Sequence, residues 1–307
     1  PWSKMNDATT AGIEWHSMTV IGGRPGSGKT LMKDQFIKEA FPLNPAENFR
    51  CLEFQLEMLA RTSAIRAYSS ELGVTYKYLC SADGELSEKD LDRCYEYAKK
   101  RIKYPIDIVE IAPTVQELNA IIEDYMNVHS KYIQKTIKKD GVEQVVKLKE
   151  YTKTIITLDH SILIKSSKFN KGKQDTLYEL GEVLTSLKRK YPIAFIILSQ
   201  LNRGIDKPER NEDGKYGNYV LDSDIFGADA LLQHADTVIG LNRPGKQKIR
   251  FYGPDRYIIE NDKVLVMHFL KCRNGDARMS FFNAAFERMS IEEMATPPTM
   301  DRRSNRI

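Results

Sequence analysis

Eight residues, GRPGSGKT from Gly23 to Thr30, stand between the apolar run SMTVIG (17–22) and a helical pattern that begins LMKDQF. No other stretch limits the fold so narrowly. Gly23, Gly28, Lys29 and Thr30 satisfy the spacing G-x-x-x-x-G-K-[ST], that of a loop whose backbone amides cradle phosphate oxygens. Glycine admits backbone conformations closed to other residues and lets the amides come close. The amides of Gly26, Ser27, Gly28 and Lys29 are expected to face the phosphates at the positive end of the following helix. Lys29 is expected to reach the β and γ phosphates, and the Thr30 hydroxyl to ligate Mg²⁺. The expected cofactors are ATP and Mg²⁺, although no segment reads as a base-recognition element.

The rest of the pattern supplies the context such a loop requires. SMTVIG reads as a buried strand, followed by a helix from about Thr30 to Phe41. FRCLEFQ (49–55), IDIVEI (106–111), KTIITLDHSILI (153–164) and IAFIILSQ (193–200) read as further strands. Continuous rather than alternating apolar runs indicate strands covered on both faces, as in a parallel sheet. Helical patterns lie between them: 57–72, 86–102, the run TVQELNAIIEDYM opening with a Thr114 cap, and 176–191 ended by Pro192. DTVIGLN (236–242), VLVMHFLKC (264–272) and MSFFNAAF (279–286) read as later, antiparallel strands. The fold class is therefore α/β, a mostly parallel sheet with helices on both faces.

Two stretches are irregular. Residues 131–151 are charged, contain a DG turn signal and read as an inserted hairpin with several lysines, an extra surface for DNA or a partner. Residues 202–224 are rich in Gly, Asn, Asp and Lys, and a loop of that length is expected to be mobile or functional. The tail 288–307 is polar and expected to be disordered.

Phosphoryl chemistry needs a metal-side acid, and TIITLDH supplies Asp159 at the end of an apolar strand. The residue after it is His160, so the group that orients the attacking water lies elsewhere. Glu57, in FQLEM at the end of the second strand, is one candidate, because neighbouring parallel strands end on the same edge. From the residues alone, Glu57 is equally a helix-start glutamate favoured by the dipole.

Composition narrows the class. An apolar content of 41% and a net charge of +4 over 307 residues suit a soluble globular chain that tolerates a polyanion without demanding one. No apolar run approaches the roughly 20 residues that span a bilayer. Four cysteines without CxxC spacing argue against structural zinc and against a disulfide framework. With proline first and no signal peptide expected, residues 1–16 read as the remnant of a linker from a missing amino-terminal domain, and 17–287 as the ATPase unit.

Taken in order, GGRPGSGKT, FQLEM, TLDHSILI, ILSQLNR, LDSDIFGADALLQHADTVIGLNR and LKCRNG resemble the ATPase domain of DnaB-type replicative helicases over about residues 15–287. The resemblance implies a RecA-like fold, a homohexameric ring, and ATP-driven 5′ to 3′ movement on single-stranded DNA in a bacterial cytoplasm of cellular or phage origin. It implies primase and a helicase loader as partners. By position, Glu57 matches the catalytic base and Arg66 an arginine nine residues beyond it. Gln200 matches a γ-phosphate sensor, and Lys271 and Arg273 a basic pair that reaches a neighbouring subunit's ATP site. The bland reading of KCR is a solvated strand end.

The chain departs from the family where the DNA loop usually reads SDLRESG. Here it reads SDIFGAD, Ser223 to Asp229, so the arginine is replaced by Phe226. Phe226 and Gly227 are candidate DNA contacts, Phe226 by stacking on a base or else simply packed. Arg203, Lys207 and Arg210 are candidates for the missing charge. Two other readings stay open: a RecA-class recombinase, and a regulatory RecA-like ATPase without unwinding activity.

Overall fold

In the computed structural model, residues 2–10, 12–81, 86–139, 142–167, 172–211 and 219–301 are described. The strands are β1 (Ser17–Gly23), β2 (Phe49–Gln55), β3 (Ile106–Val109), β4 (Ser130–Lys139), β5 (Val142–Tyr151), β6 (Lys153–Asp159), β7 (Ile193–Gln200), β8 (Thr237–Asn242), β9 (Phe251–Tyr252), β10 (Tyr257–Ile258), β11 (Val264–Cys272), β12 (Arg278–Ala285) and β13 (Ser290–Glu293). The helices are α1 (Ser3–Thr9), α2 (Lys29–Leu43), α3 (Ala60–Leu72), α4 (Tyr76–Cys80), α5 (Glu88–Arg101), α6 (Val115–Val128), α7 (Lys173–Lys190), α8 (Pro208–Asn211) and α9 (Ala228–Leu232).

Nine strands form one sheet in the order β13-β12-β11-β8-β1-β7-β6-β2-β3. From β3 to β8 all neighbours are parallel, and β11, β12 and β13 extend the sheet antiparallel beyond β8. The apolar runs read as doubly covered strands are just that. One face carries Val20, Phe54, Ile156 and Phe195 against α6 and α7, which contribute Leu118, Ile122, Leu180 and Leu184. The other face carries Ile21, Ile196, Leu198 and Met267 against α1 and α2, through Met5, Met32 and Phe36. Burying a large aliphatic side chain stabilises by about 1.5–3 kcal/mol, so these two layers dominate the stability of the domain.

Local signals behave as the sequence indicates. Thr114 caps α6 in a capping box: its hydroxyl accepts from Glu117 N–H at 3.2 Å, and the Glu117 carboxylate accepts from Thr114 N–H at 2.7 Å. Residues 130–151 form the expected hairpin, β4 on β5, outside the main sheet; its Asp140–Gly141 turn lies outside the described residues. No described helix is long and apolar enough to cross a membrane.

The described residues at both ends, 2–10 and 290–301, pack onto the domain. Helix α1 lays Trp2, Met5 and Ala8 into the second core layer, where Trp2 meets Phe36 and Phe282 edge-on. Strand β13 pairs with β12 as the sheet's last strand, and its burial of Ile291 is what holds it there. The two ends also clasp each other. The Trp2 indole donates to the Ile291 carbonyl at 3.1 Å, and Lys4 N–H donates to Glu293 at 2.6 Å. Residues as far as Asp301 continue to pack, Asp301 pairing with Arg256, while 302–307 lie outside the described residues.

The stretch 202–224 is anchored on both sides. Ile205 and Val220 are buried, and Arg210 closes the excursion by gripping both oxygens of Asp224, at 3.0 and 2.8 Å, and the Tyr219 carbonyl. Residues 212–218 lie outside the described residues.

Candidate nucleotide site

The parallel strands deliver four groups to one edge. Across the order β1-β7-β6-β2 their carboxyl ends carry the phosphate loop, Gln200, Asp159 and, just past β2, Glu57. Gly23 pairs with Gln200 and Gln55 with Asp159. The Leu56 N–H donates to the Asp159 carbonyl at 2.7 Å, which fixes Glu57 beside the acid. Gly28, Lys29, Thr30, Glu57, Arg66 and Gln200 line one cleft of about 500 Å³. This is where ligands bind in open α/β sheets: at the carboxyl ends of the strands, where the chain crosses from β7 on one side of β1 to β8 on the other. A separate cavity of about 420 Å³, at the amino ends of the strands between α1 and α2, holds none of these groups.

The loop conformation requires its glycines. Gly28 has φ +99°, in the left-handed region, and a Cβ at Gly23 would fall 2.1 Å from Ser27 Oγ. The Lys29 ammonium turns back onto the loop, donating to the Gly23 carbonyl at 2.8 Å and the Arg24 carbonyl at 3.4 Å. Burial lowers its pKa to about 8, against the pull of Asp159 and Glu57. A buried cation held only by carbonyls is poised for an anionic ligand.

The metal side is equally prepared. The Thr30 hydroxyl stands beside the Asp159 carboxylate, which is 3% exposed. Burial raises the Asp159 pKa, Lys33 opposes the rise and Glu57 adds to it. Asp159 Oδ1 and Ser27 Oγ are buried without a hydrogen-bond partner among the described residues. Buried polar atoms normally find partners, so these two fit a hydrated cation and a phosphate oxygen. No group of three or more His, Cys, Asp or Glu suited to a metal occurs among the described residues. The residues thus fit Mg²⁺ held by one hydroxyl, one carboxylate and the ligand's own oxygens, not an all-protein cage.

A buried ionic group lies behind the loop. The Lys33 ammonium, fully enclosed, sits 2.8 Å from both Asp34 and Glu53. Burial works against its charge, but the two carboxylates hold its pKa above the ordinary lysine range. His160, in the cleft wall, is pushed to about 4 by burial and by Lys29, so at neutral pH it is uncharged.

Arg243, Phe286 and Met289 also line the cleft, and the sequence reading missed all three. The Arg243 guanidinium lies 3.5 Å over the Phe286 ring and donates to the Gly26 carbonyl at 3.1 Å. Phe286 in turn sits 3.1 Å from where a Gly28 Cβ would stand. One signal pointed to Arg243: it follows an apolar strand, as Glu57 does.

Lys271 and Arg273 lie at the opposite edge. Cys272 is level with Thr237, and Thr237 with Thr19. Four residues separate Thr19 from Gly23, which at about 3.3 Å per residue is about 13 Å of strand. Neither side chain faces its own phosphate loop. Lys271 donates to the Leu232 carbonyl at 2.7 Å, and Arg273, 61% exposed, pairs with Asp236 at 2.9 Å.

Among the candidate DNA contacts, Arg203 and Lys207 are exposed. Arg210 is held in the Asp224 clasp already described, to a partner fourteen residues along the chain. Phe226 is half-buried against the first core layer rather than displayed. Gly227, at φ +68°, stands where a Cβ would fall 2.5 Å from Leu177 Cδ1, so its place is set by packing.

The phosphate loop after β1, the acid on β6 with one strand between them, and the parallel sheet define a RecA-like P-loop ATPase. The family described as DnaB-like helicase C terminal domain matches residues 3–289, and the chain belongs to it. A probable replicative DNA helicase of Trieres chinensis is 26% identical over 278 residues, covering 88% of this chain and 51% of the relative. Replicative DNA helicase DnaB of Helicobacter pylori (strain ATCC 700392 / 26695) is 27% identical over 242 residues, covering 77% of this chain and 42% of that protein. The chain spans about half the length of the curated relatives it matches. Among solved structures, one described as an ATPase domain superposes with a TM-score of 0.75 at 16% identity, over 95% of this chain and 89% of that one. A DnaB-like replicative helicase studied with its interactions with primase gives the same TM-score and identity, over 61% of its length.

Proposed function

We propose that this domain is the ATP-hydrolysing motor of a replicative DNA helicase, with each active site completed by a neighbouring copy. The observation that carries the reading is the split between two edges. Lys29, Thr30, Asp159, Glu57 and Gln200 converge on one edge, and Lys271 and Arg273 occupy the other. In a head-to-tail ring the second edge of one copy meets the cleft of the next.

On this reading Lys29 leaves the Gly23 carbonyl to bind the β and γ phosphates. Thr30 and Asp159 hold Mg²⁺, which when bound neutralises phosphate charge. Glu57 accepts a proton from the attacking water. Gln200 contacts the terminal phosphate. The neighbour's Lys271 and Arg273 stabilise charge in the transition state, so that hydrolysis depends on assembly. The Phe286 ring under Arg243 offers a stacking surface for the nucleotide base. Arg203 and Lys207 contact the phosphates of single-stranded DNA. The wider proposal is a hexameric ring moving 5′ to 3′ in a bacterial cytoplasm, with primase and a loader as partners.

Unwinding of a forked duplex by the full-length protein, with ATP, Mg²⁺ and tails of each polarity, tests the reading. Unwinding on a 5′ tail alone supports it; no unwinding on either tail removes it. The packing of Phe226 favours one competitor, a regulatory ATPase without DNA contact. Turnover indifferent to single-stranded DNA at low salt would favour that competitor.

A further inference from the structure

Arg24 belongs to the phosphate loop, yet its guanidinium crosses to the segment that follows Gln200. Nη2 is ion-paired with the Asp206 carboxylate, and Nη1 donates to the Leu201 carbonyl at 3.4 Å. The backbone carbonyl of the same residue accepts from the Lys29 ammonium at 3.4 Å. One residue therefore touches both the lysine expected to grip phosphate and the segment that displays Arg203 and Lys207.

A second contact at the same place is independent of charge. A Cβ on Gly22 would lie 3.1 Å from Ile225 Cγ1 and 3.3 Å from Leu201 Cδ2. The end of β1 thus bears closely on both branches of the 201–227 excursion, where a methyl group would have to displace Ile225 and Leu201 by a few tenths of an ångström. The branches are themselves stitched together. Leu201 bridges Ile225, Phe226 N–H donates to the Gln200 carbonyl at 2.7 Å, and Asn202 N–H donates to the Asp224 carbonyl at 2.6 Å. Residues 200–206 and 222–227 form one plate resting on Gly22–Arg24.

We propose that Arg24 is a positioning residue that couples the phosphate loop to this plate through Asp206, so that nucleotide state sets the presentation of Arg203 and Lys207 to DNA. When Lys29 turns to a phosphate it releases the Gly23 and Arg24 carbonyls. The loop backbone then loses a tether at the residue whose side chain holds Asp206. A packed contact and an ion pair between two elements is the kind of physical link that energetic coupling needs. The inference rests on the proposed DNA-facing role of this segment.

Coupling of this kind is reciprocal: nucleotide changes DNA affinity by the factor by which DNA changes nucleotide affinity. The test measures binding of labelled oligo(dT) to the full-length protein, with and without a non-hydrolysable ATP analogue, in wild type, Asp206→Asn and Asp206→Glu. Asp206 is 41% exposed, and its replacement is expected to leave the melting temperature unchanged. In wild type the analogue changes DNA affinity by about fivefold or more. Asp206→Asn brings that ratio within twofold of one, and Asp206→Glu restores it. An Asp206→Asn ratio equal to wild type overturns the coupling and leaves the helicase reading intact. Failure of wild type to bind oligo(dT) in either state overturns both.

Discussion

The Thr30 hydroxyl stands beside the Asp159 carboxylate and works to lower its pKa, so the first turn of α2 faces the end of β6. These are the two side chains assigned to Mg²⁺. Their placement on one edge of the sheet brings the two side chains together before a cation arrives.

Thr30→Val keeps the shape and removes the oxygen. The Mg²⁺ concentration for half-maximal turnover is expected to rise at least about tenfold, the scale seen when metal-supporting groups are lost. Nucleotide affinity in EDTA is expected to change little. An unaltered Mg²⁺ titration would remove Thr30 from the metal site.

Lys29 offers a pH signature. With its pKa at about 8 in the folded chain and 10.5 ordinarily, both states carry the proton below pH 8, and only the unfolded chain carries it between 8 and 10.5. Stability is therefore expected to rise with pH across that window as far as this group is concerned. Arriving phosphate favours the charged form, so nucleotide binding at pH 8.5 should take up protons at Lys29. Calorimetry in buffers of different ionisation enthalpy reads the uptake directly. Lys29→Ala should abolish nucleotide binding.

Glu57→Gln is expected to bind ATP normally and hydrolyse it about 10²–10⁴ times more slowly, the span of a lost general base. Single-turnover kinetics separates the two steps. Turnover at the wild-type rate would exclude Glu57 as base.

Arg273→Ala should leave nucleotide binding and melting temperature nearly unchanged, because the arginine itself is 61% exposed and Asp236 keeps its pair with Lys188. Turnover should nevertheless be lost. Mixing it with Lys29→Ala protein should recover some activity, since some interfaces then carry an intact loop and an intact arginine. Absence of any recovery would argue against a role between copies.

The buried Lys33 makes the clearest stability prediction. Lys33→Met leaves Glu53 enclosed without its cation and should cost about 3–5 kcal/mol in urea unfolding. Adding Glu53→Leu should recover most of that loss. Burial alone would raise the Glu53 pKa, but Lys33 brings it below the ordinary 4.5. The stabilisation from this pair is thus present above pH 4.5 and is lost as pH falls further.

What was legible follows from what is local. Strand 193–200 matches to the residue because a doubly covered strand is apolar nearly throughout, and 49–55 matches although Arg50, Glu53 and Gln55 interrupt it. The phosphate loop, Asp159 and Thr114 declare themselves by spacing. The rest depends on which strands become neighbours. Arg243 and Phe286 meet over the loop only because β8 flanks β1 and the end of β12 returns to that edge. SIEE gives no strand signal of its own; β12 and the core contact of Ile291 make it one. Arg210 reads as a free cation because nothing in its own stretch announces Asp224.

The clasp between Trp2 and Ile291 joins residues 289 positions apart. On a ribosome the first helix emerges long before its socket exists, and it must wait, with its indole uncovered, until the final strand is made. Contacts of such long range slow folding. Completion of this domain is thus postponed until β13 has been made, and a message cut short before Ser290 would yield a product with an open seam rather than a smaller working part.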